Sequence, residues 1–127
     1  SEESSPGIRH YVHVDDVADA VLLIINNKEK LKEIPDDQYG AKCKKINIAS
    51  SFEMNNLEVA ESISKYLGLV IDYELVDFHS TRPGHDLRYA LDDSLIASMG
   101  WKPSKSTQEG LEQVTKWYSE NQEWLKF

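Results

Sequence analysis

The nine residues from Val17 to Ile25 read Val-Ala-Asp-Ala-Val-Leu-Leu-Ile-Ile, and no other stretch restricts the fold so strongly. Asp15 or Asp16 is placed to cap a helix running to about Asn26, with acidic groups at the positive end of its dipole. Within that helix only Asp19 interrupts the apolar residues, which therefore cover most of the circumference rather than one stripe. A helix apolar all round needs burial on more than one side. A chain of 127 residues forms one domain at most and has little material to surround such a helix. The expectation is a partner surface supplied by another domain. The run is far too short to span a bilayer.

Composition excludes some partners. With 40% hydrophobic and 28% charged residues the chain is ordinary for a soluble globular protein. A net charge of −8 argues against nucleic acid and against an anionic membrane surface, since both recruit basic patches. The single cysteine, Cys43, lies among Lys42, Lys44 and Lys45; it excludes an internal disulfide, fits a reducing, cytoplasmic compartment and reads as a surface thiol. The polar, acidic start at Ser1–Gly7 is neither a signal nor a transit peptide, and residues 1–6 read as a flexible stub.

The pattern along the rest is mixed α/β. Residues 8–14 alternate as a short strand before the apolar helix, and residues 28–45 form a long charged loop. Lys45 to Ala49 reads as a short buried strand. A helix follows from Asn56 to Leu67, with Gly68 to stop it. Val70 to Phe78 and Leu87 to Leu91 read as strands, with a turn around Pro83-Gly84 between them. Asp92 is placed to cap a short helix to Met99, ended by Gly100. A long final helix begins near Thr107, and Leu111, Val114, Trp117 or Tyr118, and Leu125 recur at a spacing that suggests core packing.

Arginine usage carries the chemical information. Against eleven lysines there are three arginines, Arg9, Arg82 and Arg88. Arg9 precedes His10 and His13, while His79 and His85 bracket Arg82. A guanidinium offers a planar fork that binds phosphate or carboxylate through two bonds, whereas lysine is a point charge. The pattern fits an anion site, and it equally fits internal salt bridges to the abundant Asp and Glu. Metal binding is disfavoured, because His10 and His13, three apart on a strand, point to opposite faces. No serine lies in a Gly-x-Ser-x-Gly elbow.

From Gly7 to the C-terminus the residues resemble a known family. Gly7-Ile8-Arg9-His10-Tyr11-Val12-His13-Val14-Asp15 resembles the R-x-[WY]-x-x-V-x-D segment of extended short-chain dehydrogenases acting on nucleotide sugars. Ile46-Asn47-Ile48-Ala49-Ser50 with Asn55-Asn56-Leu57-Glu58-Val59 is similar to that family's Y-N-I-G-G … N-x-x-V, with Ala-Ser in place of Gly-Gly. Arg82-Pro83-Gly84-His85-Asp86, then Gly100-Trp101-Lys102-Pro103 and Trp117-Tyr118, resemble the end of dTDP-glucose and UDP-glucose 4,6-dehydratases.

The resemblance implies the C-terminal, substrate-binding part of such an enzyme, spanning residues 7–127. Arg9 and Arg82 would hold the diphosphate of dTDP- or UDP-glucose, Asn56 would help hold the nucleotide, and His85 would meet its ribose or base. Asp86 and Arg88 are assigned mainly to structure. NAD would be bound by an N-terminal domain that these residues lack, since neither a Gly-x-Gly-x-x-Gly loop nor a Tyr-x-x-x-Lys pair occurs. No catalytic residue and no metal ligand is therefore assigned, and no cofactor is expected for this chain alone, which should show no turnover. In the parent enzyme, a homodimer, NAD would take hydride from C4 of the hexose, water would leave across C5 and C6, and hydride would return to C6. The alternatives are another nucleotide-sugar enzyme such as an epimerase, and a catalytically silent domain that binds a nucleotide or a protein.

Overall fold

The computed structural model describes residues 6–33, 45–50, 52–76, 83–84 and 86–126. Among them run β1 (Ile8–His10), α1 (Val14–Asn26), α2 (Lys28–Glu33), β2 (Glu53–Asn55), α3 (Asn56–Leu67), α4 (Ser94–Ser98), α5 (Thr107–Glu120) and a 3-10 turn (Gln122–Leu125). The architecture is mixed helix and strand, as the residue pattern implied.

Helices α3 and α5 begin where local chemistry says they should. The Asn55 side chain accepts from the Glu58 backbone N–H at 2.9 Å, and the Glu58 carboxylate accepts from the Asn55 N–H at 2.8 Å. Ser106 and Glu109 form the same reciprocal pair at the head of α5. Each pair satisfies two amides that the first helical turn leaves without partners. Gly68 ends α3 at φ 67°, a conformation glycine adopts without steric cost. The two helices pack against each other, and each buries one hydroxyl residue, Ser64 or Thr115.

The core is small. Ala20 and Ile96 are wholly buried and Trp101 nearly so, with Val12, Leu23, Ile24, Ile46 and Ile48 packed against them. Asp16 is buried beside this core. It accepts from the Ser104 backbone N–H at 2.8 Å and from the Ser104 hydroxyl at 2.6 Å. Burial pushes the Asp16 carboxyl up, but the two Ser104 bonds and the nearby Lys105 charge together hold it below the usual carboxylate range. Asp16 is thus engaged away from its own helix end, and the α1 cap is His13, whose Nδ1 accepts from the Asp15 N–H at 3.2 Å. Gly110 lets α5 approach this cap, since a methyl group there would already lie 3.4 Å from the His13 ring.

Several expectations are corrected. The first strand ends at His10 instead of Val14, because only residues 8–10 find a paired partner in β2. Residues 45–50 form no strand with any described residue, although Ala49 is buried and Ile46 and Ile48 pack on the core; their apolar character is used and their ladder bonds are not. Residues 70–76 form no strand either. Neighbouring Leu75 and Val76 are both about half exposed, so alternation there creates no buried face. Pairing near Leu87–Leu91 is confined to a single parallel bridge between Ile8 and Arg88. Lys28–Glu33, expected as loop, is helical, and residues 34–44, with Cys43, lie outside the described residues. Met99 closes α4 as its C-cap, whereas the N-cap is Asp93, with no side-chain bond, instead of Asp92; the Asp92 carboxylate still accepts from the Ser94 N–H at 2.9 Å. Trp117, Tyr118 and Leu125, expected in the core, are exposed; α5 instead buries Gly110 and Thr115.

The apolar helix α1 is covered on one side alone among the described residues. Ala20 is inside, whereas Leu22 is 56% and Ile25 58% exposed.

Candidate functional site

Strand β1 lies between β2 and the segment around Arg88. It pairs antiparallel to β2 with Ile8 opposite Asn55, Arg9 opposite Met54 and His10 opposite Glu53. On its other edge the Ile8 N–H donates to the Leu87 carbonyl at 2.8 Å and the Tyr89 N–H donates to the Ile8 carbonyl at 3.2 Å. Side chains in such a ribbon alternate between two faces, and this period of two sorts the arginines.

One face holds His10, Glu53 and Arg88. The Arg88 Nε lies 2.7 Å from Glu53 Oε1, and His10 Nε2 lies 3.3 Å from the same oxygen. His10 Nδ1 is 2.8 Å from the Ser50 carbonyl, which can only accept, so Nδ1 carries a proton. The hydrogen bond from Arg88 comes first among the causes that hold the Glu53 carboxyl below its ordinary value. Arg88 is thereby engaged in an internal ion pair, the structural role expected of it.

The opposite face carries Arg9. Its guanidinium lies over the Tyr89 ring, 4.2 Å from the centroid, and Nη1 donates to the carbonyls of Ile8 at 2.6 Å and Leu87 at 3.2 Å. Cation–π stacking and carbonyl bonds orient this side chain without neutralising it, and no carboxylate pairs with it among the described residues. Asn56, the first residue of α3, donates its backbone N–H to the Gly7 carbonyl at 3.0 Å. Its side-chain Oδ1 accepts from the Tyr11 hydroxyl at 2.9 Å. A methyl group on Gly7 would stand 3.4 Å from Arg9 Nη1, 3.6 Å from Arg9 Nη2 and 3.5 Å from Asn56 Nδ2. The bare glycine thus leaves a small space that a guanidinium and an amide border together.

Of the four residues singled out from the sequence, the fold brings Arg9 and Asn56 to one point. Arg82 and His85 lie outside the described residues, although Pro83-Gly84 between them forms a turn with Gly84 at φ 78°. Gly7, Tyr11 and Tyr89 were missed. Tyr11 was within reach of sequence reasoning, since a residue two places from Arg9 shares its strand face; Tyr89 arrives through a long-range bridge that no local pattern signals.

Other features add little chemistry. A hollow of about 650 Å3 is bordered by Val12, His13, Val14, Trp117 and Tyr118 and does not reach Arg9 or Asn56. Among the described residues no three His, Cys, Asp or Glu side chains cluster as metal ligands, and no helix is long and apolar enough to cross a membrane. The six glycines stand at positions 7, 40, 68, 84, 100 and 110, a scatter that makes no Gly-x-Gly-x-x-Gly dinucleotide loop.

No protein-family model matches the chain. It is 32% identical over 127 residues to dTDP-glucose 4,6-dehydratase of Escherichia coli, an alignment covering 92% of this chain and 32% of that enzyme. It is 33% identical over 114 residues to a probable GDP-L-fucose synthase of Oryza sativa subsp. japonica, covering 90% of this chain and 30% of the relative. Its fold superimposes with a TM-score of 0.70 on dTDP-glucose 4,6-dehydratase of Bacillus anthracis in complex with NAD, at 28% identity, over 94% of this chain and 33% of the other. The chain spans about a third of the length of these proteins.

Proposed function

We propose, starting from a chain homologous over nine-tenths of its length to dTDP-glucose 4,6-dehydratase and related extended short-chain dehydrogenases, that residues 7–127 hold the nucleoside diphosphate of a sugar nucleotide. The observation that carries this reading is Arg9: a guanidinium oriented by Tyr89 and two carbonyls, without a carboxylate among the described residues, beside the Asn56 amide. A diphosphate asks for permanently charged, planar donors held in place before it arrives, and this arrangement supplies them. Arg82 would add a second guanidinium and His85 a contact to ribose or base, both carried by the turn at Pro83-Gly84.

Relatives of similar identity carry two different activities, so similarity alone does not choose the branch. The run Arg82-Pro83-Gly84-His85-Asp86 supports the 4,6-dehydratase branch, with dTDP- or UDP-glucose as substrate and a 4-keto-6-deoxy sugar as product. The hydride chemistry would belong to NAD on a separate N-terminal portion of a cytoplasmic, dimeric parent. This portion would orient the hexose through binding energy from the remote diphosphate. The GDP-L-fucose synthase relative favours a second reading within the same class, a different nucleotide sugar.

Calorimetric titration of the chain with dTDP, UDP and GDP tests the proposal. A thymidine or uridine diphosphate should bind in preference to GDP, and Arg9→Ala should weaken that binding by roughly tenfold or more, the scale of a charge-assisted hydrogen bond. Binding that survives Arg9→Ala unchanged would remove the site.

A further inference from the structure

We infer that His10 is a proton-operated clasp: its ring, protonated on both nitrogens, ties β1 to the Ser50 carbonyl on one side and to the Glu53 carboxylate of β2 on the other, and the clasp opens when the ring loses a proton. The inference does not depend on the diphosphate reading, because His10 lies on the opposite face of β1 from Arg9.

A neutral imidazole has one N–H and one lone pair, whereas the imidazolium has two N–H donors. His10 Nδ1 is 2.8 Å from the Ser50 carbonyl oxygen, and Nε2 is 3.3 Å from Glu53 Oε1. A carbonyl oxygen only accepts, and so does an ionised carboxylate. Glu53 is ionised well below neutrality, because the hydrogen bond from Arg88, with the Arg88 charge behind it, outweighs desolvation and holds the carboxyl below its ordinary value. Either neutral tautomer of His10 therefore sets a lone pair against an oxygen. With the proton on Nδ1, Nε2 is a buried nitrogen without a hydrogen-bond partner, beside a negative charge. A second proton turns that repulsion into a charge-assisted pair. The charged groups that face the ring are Glu53 from β2 and Arg88 from the segment bridged to Ile8, and the Ser50 segment adds its carbonyl. Arg88 opposes a second cation, since its Nε lies 2.7 Å from the same oxygen. Its side chain is 57% exposed against 14% for His10, so solvent screens that repulsion more than it screens the contact between His10 and Glu53. Folding thus favours the protonated ring. Its contribution is present below the unfolded histidine value of about 6.5 and is lost as pH rises above it.

The test is nuclear magnetic resonance of the histidine ring nitrogens in the full chain, with unfolding measured across the same pH range. At about pH 7, where an unpaired imidazole is mostly neutral, both His10 nitrogens should carry protons in most molecules. His10→Asn keeps a donor for the Ser50 carbonyl and cannot titrate, so it identifies the signal. Glu53→Gln replaces the carboxylate by an amide that can donate to Nε2, and His10 should then be neutral with its proton on Nδ1. Between about pH 6 and 8 the unsubstituted chain should lose stability relative to His10→Asn, the ratio of their unfolding constants changing roughly tenfold. Glu53→Gln should remove that pH dependence. A neutral His10 at pH 7 in the unsubstituted chain overturns the inference, and so does a His10 that stays equally charged in Glu53→Gln. A ratio of unfolding constants that is the same at every pH also overturns it. The spectrum of the unsubstituted chain decides even if a variant fails to fold, since the signal with both nitrogens protonated is either there or absent.

Discussion

Helices α5 and α1 are nearly equal in length, fourteen and thirteen residues, and are anchored differently. The start of α5 is fixed by residues three apart: Ser106 and Glu109 exchange hydrogen bonds at the surface, and Gln108, Glu112, Gln113 and Lys116 give much of its outer face to solvent. The start of α1 is capped locally by His13, but its buried Asp16 is tied to Ser104, 88 residues away, and its outer face shows Val14, Val21, Leu22 and Ile25. One helix is anchored by its own sequence, and the other by a local cap together with a tie to a distant part of the chain. The difference separates what local chemistry decides from what tertiary structure decides.

The largest effect should come from the long-range anchor. Asp16→Ala removes a buried acceptor for two donors of the exposed Ser104, and should cost about 2 kcal/mol in thermal or denaturant unfolding, about 1 for each hydrogen bond. The same group gives a pH signature. Its folded pKa is lowered, so its contribution is present above the unfolded carboxylate value of about 3.9 and is lost as pH falls through the folded value. The unsubstituted chain should therefore lose stability below roughly pH 4, and Asp16→Ala should lose less over the same range. An alanine variant that unfolds like the parent at every pH would show that Ser104 does not hold α1.

The local anchor should matter less. Ser106→Ala removes the hydroxyl that accepts from the Glu109 N–H, and the usual cost of losing such a cap is about 1 kcal/mol. A loss matching that of Asp16→Ala would erase the distinction between the two helices.

The same distinction explains what the sequence discloses. Asn55 with Glu58 and Ser106 with Glu109 are spaced three apart, and Gly68 stops α3, so these helices are legible to within a residue. Strands are another matter. Ile46 and Ile48 carry a strand's residue types and pack on the core, but a strand exists only where a second chain segment supplies ladder bonds, and a local pattern cannot show one. At the candidate site, Arg9 and Asn56 are legible as residue types that suit an anion. Their meeting at Gly7 depends on the register of β1 against β2, and the stacking of Arg9 on Tyr89 depends on the bridge from Ile8 to Arg88. Trp117 and Tyr118 mislead because helical spacing records which residues share a face and not what covers it.

The smallest effect on stability belongs to the outer face of α1, and it sharpens the comparison most directly. At about 100° per residue, Leu22 and Ile25 lie roughly 60° from each other and on the far side of the helix from Ala20. Ala20 is wholly buried, and the other two keep more than half of their surface in solvent. Replacing an exposed leucine removes no packed neighbour, and lysine has nearly the same helix propensity. Leu22→Lys should therefore change the unfolding free energy by no more than about 0.5 kcal/mol in dilute solution. A contiguous apolar face also promotes association, so the substitution should reduce any concentration-dependent scattering by the chain. If Leu22→Lys instead destabilises by the 2 kcal/mol or more expected of a core leucine, and does so more at high protein concentration, then the face is covered in solution by another copy. In that case α1, like α5, would have a partner on each side that needs one, and its apolar circumference would be explained within the chain's own assembly.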